Sequence, residues 1–176
     1  MARQQRQPTV ETTIAAEPEK TLFDLVAGHL DAKDWNYTAY EDKGYISTSC
    51  RLKEGSVRVT VDVYESKEWQ RVLVFSSFPV YVPEYRCAAV AETLTRVNYK
   101  TAFGNLEMDF TDGEVRVRTS VEAESGMSEP MIERVLNGNF DTADRFFAPI
   151  LAIAFGNAVP ETVFDLAEKR GDATLQ

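Results

Sequence analysis

A chain of 176 residues that is 44% apolar and 11% aromatic has material for one domain with a buried core and is short for two. Its 28 acidic residues outnumber 19 basic ones, giving a formal charge of −9. That field opposes nucleic acid, whose capture requires concentrated positive charge. No stretch approaches the roughly 20 apolar residues of a membrane span. The expectation is therefore a cytoplasmic protein with neither a nucleic-acid nor a membrane partner.

Residues 1–19 are polar and Gln-rich, contain Pro8 and Pro18, and lack an apolar h-region. They read as a disordered leader, not a secretory signal. A first helix is expected from Thr21 to Ala32. Thr21 caps it and Asp24 completes a capping box, with Leu22, Leu25, Val26, His29 and Leu30 on one stripe. Trp35 is expected to close the end of this helix onto a sheet.

A meander follows. Strands 36–41 and 44–52 are joined at Asp42-Lys43, and Lys53-Glu54-Gly55 makes the next turn. Val57, Val59, Val61 and Val63 alternate with Arg58, Thr60, Asp62 and Tyr64, the period of a half-buried antiparallel strand. A fourth strand, 71–78, is apolar on both faces and is expected to be central. Pro79 and Pro83 should end the meander, and Pro83 suits the first turn of a helix reaching Tyr99. Its stripe is Cys87, Val90, Ala91, Leu94 and Val97, with Asn98 at the C-terminus.

Within a ribbon from Phe103 to Glu124, Asp112-Gly113 predicts a two-residue type I′ turn. That register sets Phe110 against Val115 and Met108 against Val117. On the other side Asp109 meets Arg116 and Glu107 meets Arg118, a ladder of opposite charges worth roughly 0.2–1 kcal/mol per pair. Past Ser125-Gly126, two or three helices are expected. Asn137-Gly138-Asn139 interrupts the first, Asp141 caps the second, and Pro149 bends or splits it. Pro160 opens a short last helix, and residues 171–176 form a tail. The domain is read as residues 20–170, α+β, in the order α-β-β-β-β-α-β-β-α(α). Its architecture is a twisted antiparallel sheet with helices on one face.

No catalytic constellation emerges. Cys50 and Cys87 read as buried free thiols and make no metal motif, although spacing leaves a disulfide between them open. The single histidine, His29, reads as a helix-end or core residue. The carboxylate pairs Glu41/Asp42, Glu122/Glu124 and Asp141/Asp144 sit in turns, strand ends and first helical turns, where acids are structurally favoured. The expectation is no enzyme, no cofactor and no metal. Two binding surfaces remain. A helix as greasy as the one bearing Phe146, Phe147 and Ile150 is either core or lies under a partner, possible homodimer included. Arg58, Arg71, Arg116 and Arg118 project from the polar sheet face. They either pair with Asp62, Glu107 and Asp109 as scaffolding or recognise a small anionic ligand in a regulatory role.

From Glu92 to Val121 the chain resembles the YbjN family of bacterial proteins: a helix ending in asparagine, a short link to glycine, then an acidic–apolar hairpin with arginine on its second strand. Asn98, Gly104, Asp109, Gly113 and Arg118 stand at the matching places, and element order extends the resemblance over about residues 20–155. The resemblance implies a fold like that of type III secretion chaperones. It further implies a protein-binding or chaperone-like module, often dimeric, of bacterial regulatory or stress type, that captures a partner protein or peptide through a sheet edge or apolar helix surface. It carries over no catalytic residue.

Overall fold

Thr21 opens α1 (Leu22–Ala32) with the expected capping box: its hydroxyl accepts from Asp24 N at 3.1 Å while its own N–H donates to the Asp24 carboxylate at 3.0 Å. The computed structural model describes residues 20–124 and 126–172; the expected leader, 1–19, lies outside the described residues. Leu22, Val26, His29 and Leu30 are buried, as the stripe requires. Trp35 packs against the core and stacks on Phe140 of the third helix, ring centroids 5.3 Å apart.

The meander consists of β1 (Tyr37–Tyr40), β2 (Tyr45–Arg51), β3 (Ser56–Glu65) and β4 (Gln70–Tyr81). After α2 (Cys87–Lys100) come β5 (Asn105–Met108) and β6 (Glu114–Ala123), then α3 (Glu129–Phe155) and α4 (Val163–Asp172). Thus Gly171 and Asp172, expected in the tail, extend α4, and 173–176 lie outside the described residues. The six strands form one antiparallel sheet in the order β1-β2-β3-β4-β6-β5. Val57, Val59, Val61, Val72, Val74, Val115 and Val117 all point to one face and are buried there under the helices. The period-two alternation of β3 therefore decided which side of the whole sheet is dry.

Four further expectations are corrected. Pro79 does not stop β4, which continues to Tyr81. The register against β6 shifts between Ser77 and Tyr81, and at such an irregularity a missing N–H is tolerated. The α2 helix ends at Lys100 rather than Tyr99, so Asn98 lies within its last turn and not at its end, and its side chain is free for another task.

The third concerns the final region. Glu129–Phe155 is one helix of 27 residues, with Asn137-Gly138-Asn139 and Pro149 inside it. A Cβ on Gly138 would lie 2.4 Å from the Phe103 ring, so the glycine provides close approach rather than a break. Asn139 is fully buried and spends its carboxamide on the sheet, accepting from Ser76 Oγ at 2.5 Å. It also donates to Val74 O at 3.0 Å, Val117 O at 3.3 Å and Thr119 Oγ1 at 3.0 Å. Burial along the full length of the helix outweighs its local breakers.

The last correction is the hairpin register. Glu107 faces Arg116, Met108 faces Val115 and Leu106 faces Val117. The loop holds four residues, Phe110 to Gly113, and is closed by Asp109 N–H to Glu114 O at 2.9 Å and Gly113 N–H to Asp109 O at 2.8 Å. The Asp109 carboxylate accepts from Thr111 N at 2.7 Å, and the Asp112 carboxylate from Glu114 N at 2.8 Å. These local bonds favour the wider loop. Phe110 leaves the greasy face and stands 69% exposed. Because the slip is by two residues, every other side chain keeps its face.

Candidate functional site

The sheet face away from the helices carries the four arginines singled out above, and cross-strand register arranges its side chains in rows. Tyr45, Asp62, Leu73 and Ser120 form one row; Ser47, Thr60, Phe75, Arg118 and Asn105 the next; Ser49, Arg58, Ser77, Arg116 and Glu107 a third. Each arginine is engaged by a carboxylate. Arg58 meets Glu114 at 3.1 Å, and Arg71 meets Glu122 through both Nε and Nη2. Glu107 serves two, Arg116 at 3.1 Å and Arg118 at 2.5 Å. Arg116 also lies over the Phe75 ring, 4.5 Å from its centroid.

Of the three expected acceptors, only Glu107 is used. Asp109 is committed to its own loop, and the Thr111 N–H holds its carboxyl below the usual range. The Asp62 carboxylate has no hydrogen bond or ion pair among the described residues. Burial pushes its carboxyl up, and the more distant Arg116 only partly opposes this. Beside these groups, Glu107, Met108, Asp109, Phe110, Glu114 and Arg116 line an open cleft of about 370 Å³.

Phe146, Phe147 and Ile150 are 1%, 5% and 0% exposed within the single chain. Phe146 meets Phe164 edge-on at 5.9 Å, and Phe147 packs on Phe78 at 5.2 Å. Phe146, Phe147 and Ile150 are thus taken up within the single chain, Phe146 by α4 and Phe147 by β4 and the β2–β3 turn, and offer no surface to a partner. His29 lies on the helix side of the sheet, remote from the arginine face. Its Nδ1 is buried, 3.8 Å from Glu129 Oε1 and without a hydrogen bond. Cys50 and Cys87 are free thiols, and burial pushes the Cys50 thiol up. Among the described residues no group of three or more His, Cys, Asp and Glu is placed to hold a metal ion, and no helix is long and apolar enough to cross a membrane.

The two sheet edges differ. In the β5–β6 pair, Asp109, Glu107 and Asn105 occupy the hydrogen-bonded positions, so the N–H and C=O of Leu106 point outward. The Asn98 side chain meets both, accepting from Leu106 N and donating to Leu106 O at 2.9 Å each. Its carboxamide substitutes for a seventh strand. Gly104, at φ 79°, allows the approach of Thr142, whose one hydroxyl hydrogen is shared between Gly138 O at 2.9 Å and Phe103 O at 3.1 Å. At the opposite edge β1 pairs only with β2, and no strand covers its outer side among the described residues. The matched asparagine and glycine are legible as motif positions, but their partners, Leu106 on β5 and Thr142 on α3, are set by packing and had no sequence signal.

The fold is like that of type III secretion chaperones. The chain superposes on a chain of the ExsC–ExsE complex with a TM-score of 0.50 at 17% identity, covering 70% of this chain and 88% of that one. It is also similar to a chain of the HopA1–SchA chaperone–effector complex (TM-score 0.46, 15% identity, 69% and 90% covered). The crystal structure of YbjN from E. coli matches with a TM-score of 0.52 at 11% identity, covering 69% of this chain and 85% of that one. The model of the YbjN family, described as "Putative bacterial sensory transduction regulator", matches residues 22–152, and the chain belongs to that family. Among curated proteins nothing matches it.

Proposed function

We propose that the chain is a non-enzymatic, cytoplasmic protein-interaction module, residues 20–170 acting as one unit, that binds a partner protein or peptide through the outer edge of β1. The observation that carries this reading is the asymmetry of the edges: the Asn98 carboxamide occupies the outward groups of Leu106 on β5, and among the described residues nothing comparable covers β1. An unpaired edge is a template for an added extended segment. The ExsC–ExsE complex, a pairing of two proteins in which one chain has this fold, supports the same reading. The apolar-helix route gains no support, because Phe146, Phe147 and Ile150 are core residues. The small-anion reading gains none either, since Arg58, Arg71, Arg116 and Arg118 already have carboxylates.

The test is a tagged-protein capture from the native host read by mass spectrometry, repeated with proline at Thr38 and, separately, at Ala39. Alternate residues of β1 turn their N–H to β2 and to solvent. The proline that replaces a solvent-facing N–H leaves the fold intact and should abolish capture. Undiminished capture by that folded variant would rule out the β1 edge. Light scattering of both forms shows whether the added segment belongs to a second copy.

A further inference from the structure

We propose that the open face of the sheet is a second docking surface, and that Asp62 is its receptor group for a lysine or arginine side chain of a partner segment flanked by apolar residues. The inference rests on the reading that the chain binds proteins, but it uses a different surface from the β1 edge.

On this face the four arginines singled out above each lie within ion-pair distance of a carboxylate, while Arg51 at the end of β2 does not among the described residues. Arg58 and Arg71 have Glu114 and Glu122, and Arg116 and Arg118 share Glu107, whereas the Asp62 carboxylate, on the third of six strands, has no hydrogen bond or ion pair among the described residues and feels Arg116 only at longer range. It stands in a largely apolar row. Tyr45 is opposite on β2 and stacks on Tyr40 at 4.5 Å; Leu73 is opposite on β4, with Phe75 one row below. Burial of this carboxylate, only partly offset by Arg116, disfavours its charged form in the free protein. Nothing in the fold requires it. Thr60, two residues earlier on the same face, shows that an uncharged side chain satisfies β3 there.

A cation restores the missing half of the pair. A long basic side chain also lays its methylene stem along Leu73 and the Tyr45 ring, which a small ion does not. The occupant is therefore a basic side chain on a protein segment. A second copy is disfavoured, since two chains of formal charge −9 repel while a cationic partner is attracted.

The probe is an acetylated nonapeptide with one central lysine flanked by alternating leucine and threonine, titrated into the ¹⁵N-labelled full chain. Its norleucine and glutamate counterparts serve as comparisons. The expected result is saturable binding with shifts at Thr60, Asp62, Leu73 and Phe75. Binding should be at least tenfold weaker for norleucine, and at least tenfold weaker for Asp62→Asn or Asp62→Ser, while the folded β1 proline variant binds undiminished. Both Asp62 variants should also melt higher than the parent at pH 7. Equal affinity for lysine and norleucine peptides, shifts confined to the helices or to β1, absence of saturation, or lower melting of both variants would each overturn the proposal. So would a dimer, seen by light scattering, that dissociates in Asp62→Asn, because the occupant would then be a second copy. If the peptide fails while capture through β1 persists, only this proposal falls.

Discussion

Asn98 and Leu106 are joined by two hydrogen bonds of 2.9 Å, a helix side chain acting as the neighbouring strand that β5 lacks. The same carboxamide ties the last turn of α2 to the sheet edge. Asn98→Ala leaves both groups of a buried residue without partners, which costs about 1–3 kcal/mol in urea unfolding. Hydrogen exchange at the Leu106 amide should accelerate more than at Val117 on the paired strand. Asn98→Asp should do no better, because it replaces the donor to Leu106 O with a carboxylate oxygen.

Asn139 is the other asparagine on which the fold depends. Replacing it with leucine removes four hydrogen bonds between α3 and the β4–β6 pair, and leaves the buried Ser76 and Thr119 hydroxyls searching for partners. A loss of about 2–4 kcal/mol is expected, one to two such desolvation penalties. Adding Ser76→Ala to Asn139→Leu should recover part of it, since one stranded hydroxyl disappears. Strict additivity in the double-mutant cycle would deny the coupling.

Gly113 and Gly28 respond oppositely to alanine. Gly113 has φ 83°, and a Cβ there would stand 2.4 Å from the Val82 carbonyl oxygen, so Gly113→Ala should cost about 1–3 kcal/mol or more. Gly28 lies exposed in α1 with nothing within 4 Å of the point an alanine methyl would occupy, and Gly28→Ala should gain about 0.5–1 kcal/mol. Thermal melts of the two single variants check both signs.

The pH dependence of Asp62 runs against that of ordinary acids. Its carboxyl is raised by burial, so the folded state binds the proton first, and the stability withheld at neutral pH returns as pH falls through its folded pKa, above the usual 3.8. Asp24, held down by the Thr21 hydroxyl and N–H, does the reverse: its contribution is present above 3.8 and is lost below it as pH falls through the folded value. By register the groups nearest Asp62 are Tyr45 on β2, Tyr64 on its own strand, Arg71 on β4, and Arg116 and Arg118 on β6; no helix covers that face. The excess stability of Asp62→Asn should therefore shrink steadily from pH 7 to about pH 4 in paired melts. A constant excess would mean that the group does not titrate differently on folding.

Patterns carried by neighbours in the chain were legible beforehand. Thr21 and Asp24 are three residues apart, and the box they form needs nothing else. Val57 to Val63 alternate, and the alternation places one whole face of β3 in the core. The order of elements, and the resemblance over Asn98 to Arg118, follow from the same kind of local information. The hairpin was legible in part: its charged and apolar faces were right because strand period is two, but its rungs were displaced because loop length depends on bonds made by Asp109 and Asp112.

What the chain could not declare in one dimension is where a side chain spends its polar groups once distant segments meet. Asn137-Gly138-Asn139 reads as a helix break until Phe103 packs on Gly138 and the sheet takes the Asn139 carboxamide. Phe146, Phe147 and Ile150 read equally well as core or interface until α4 and Phe78 arrive to cover them. Composition and periodicity determined an acidic α+β domain with a one-sided sheet, since the burial of a periodic apolar pattern depends on residue types close together in the chain. Only the tertiary structure decided that Asn98 meets the outward groups of Leu106 on β5 and that, among the described residues, β1 is uncovered and the Asp62 carboxylate has no ion pair, because each depends on how separate elements pack.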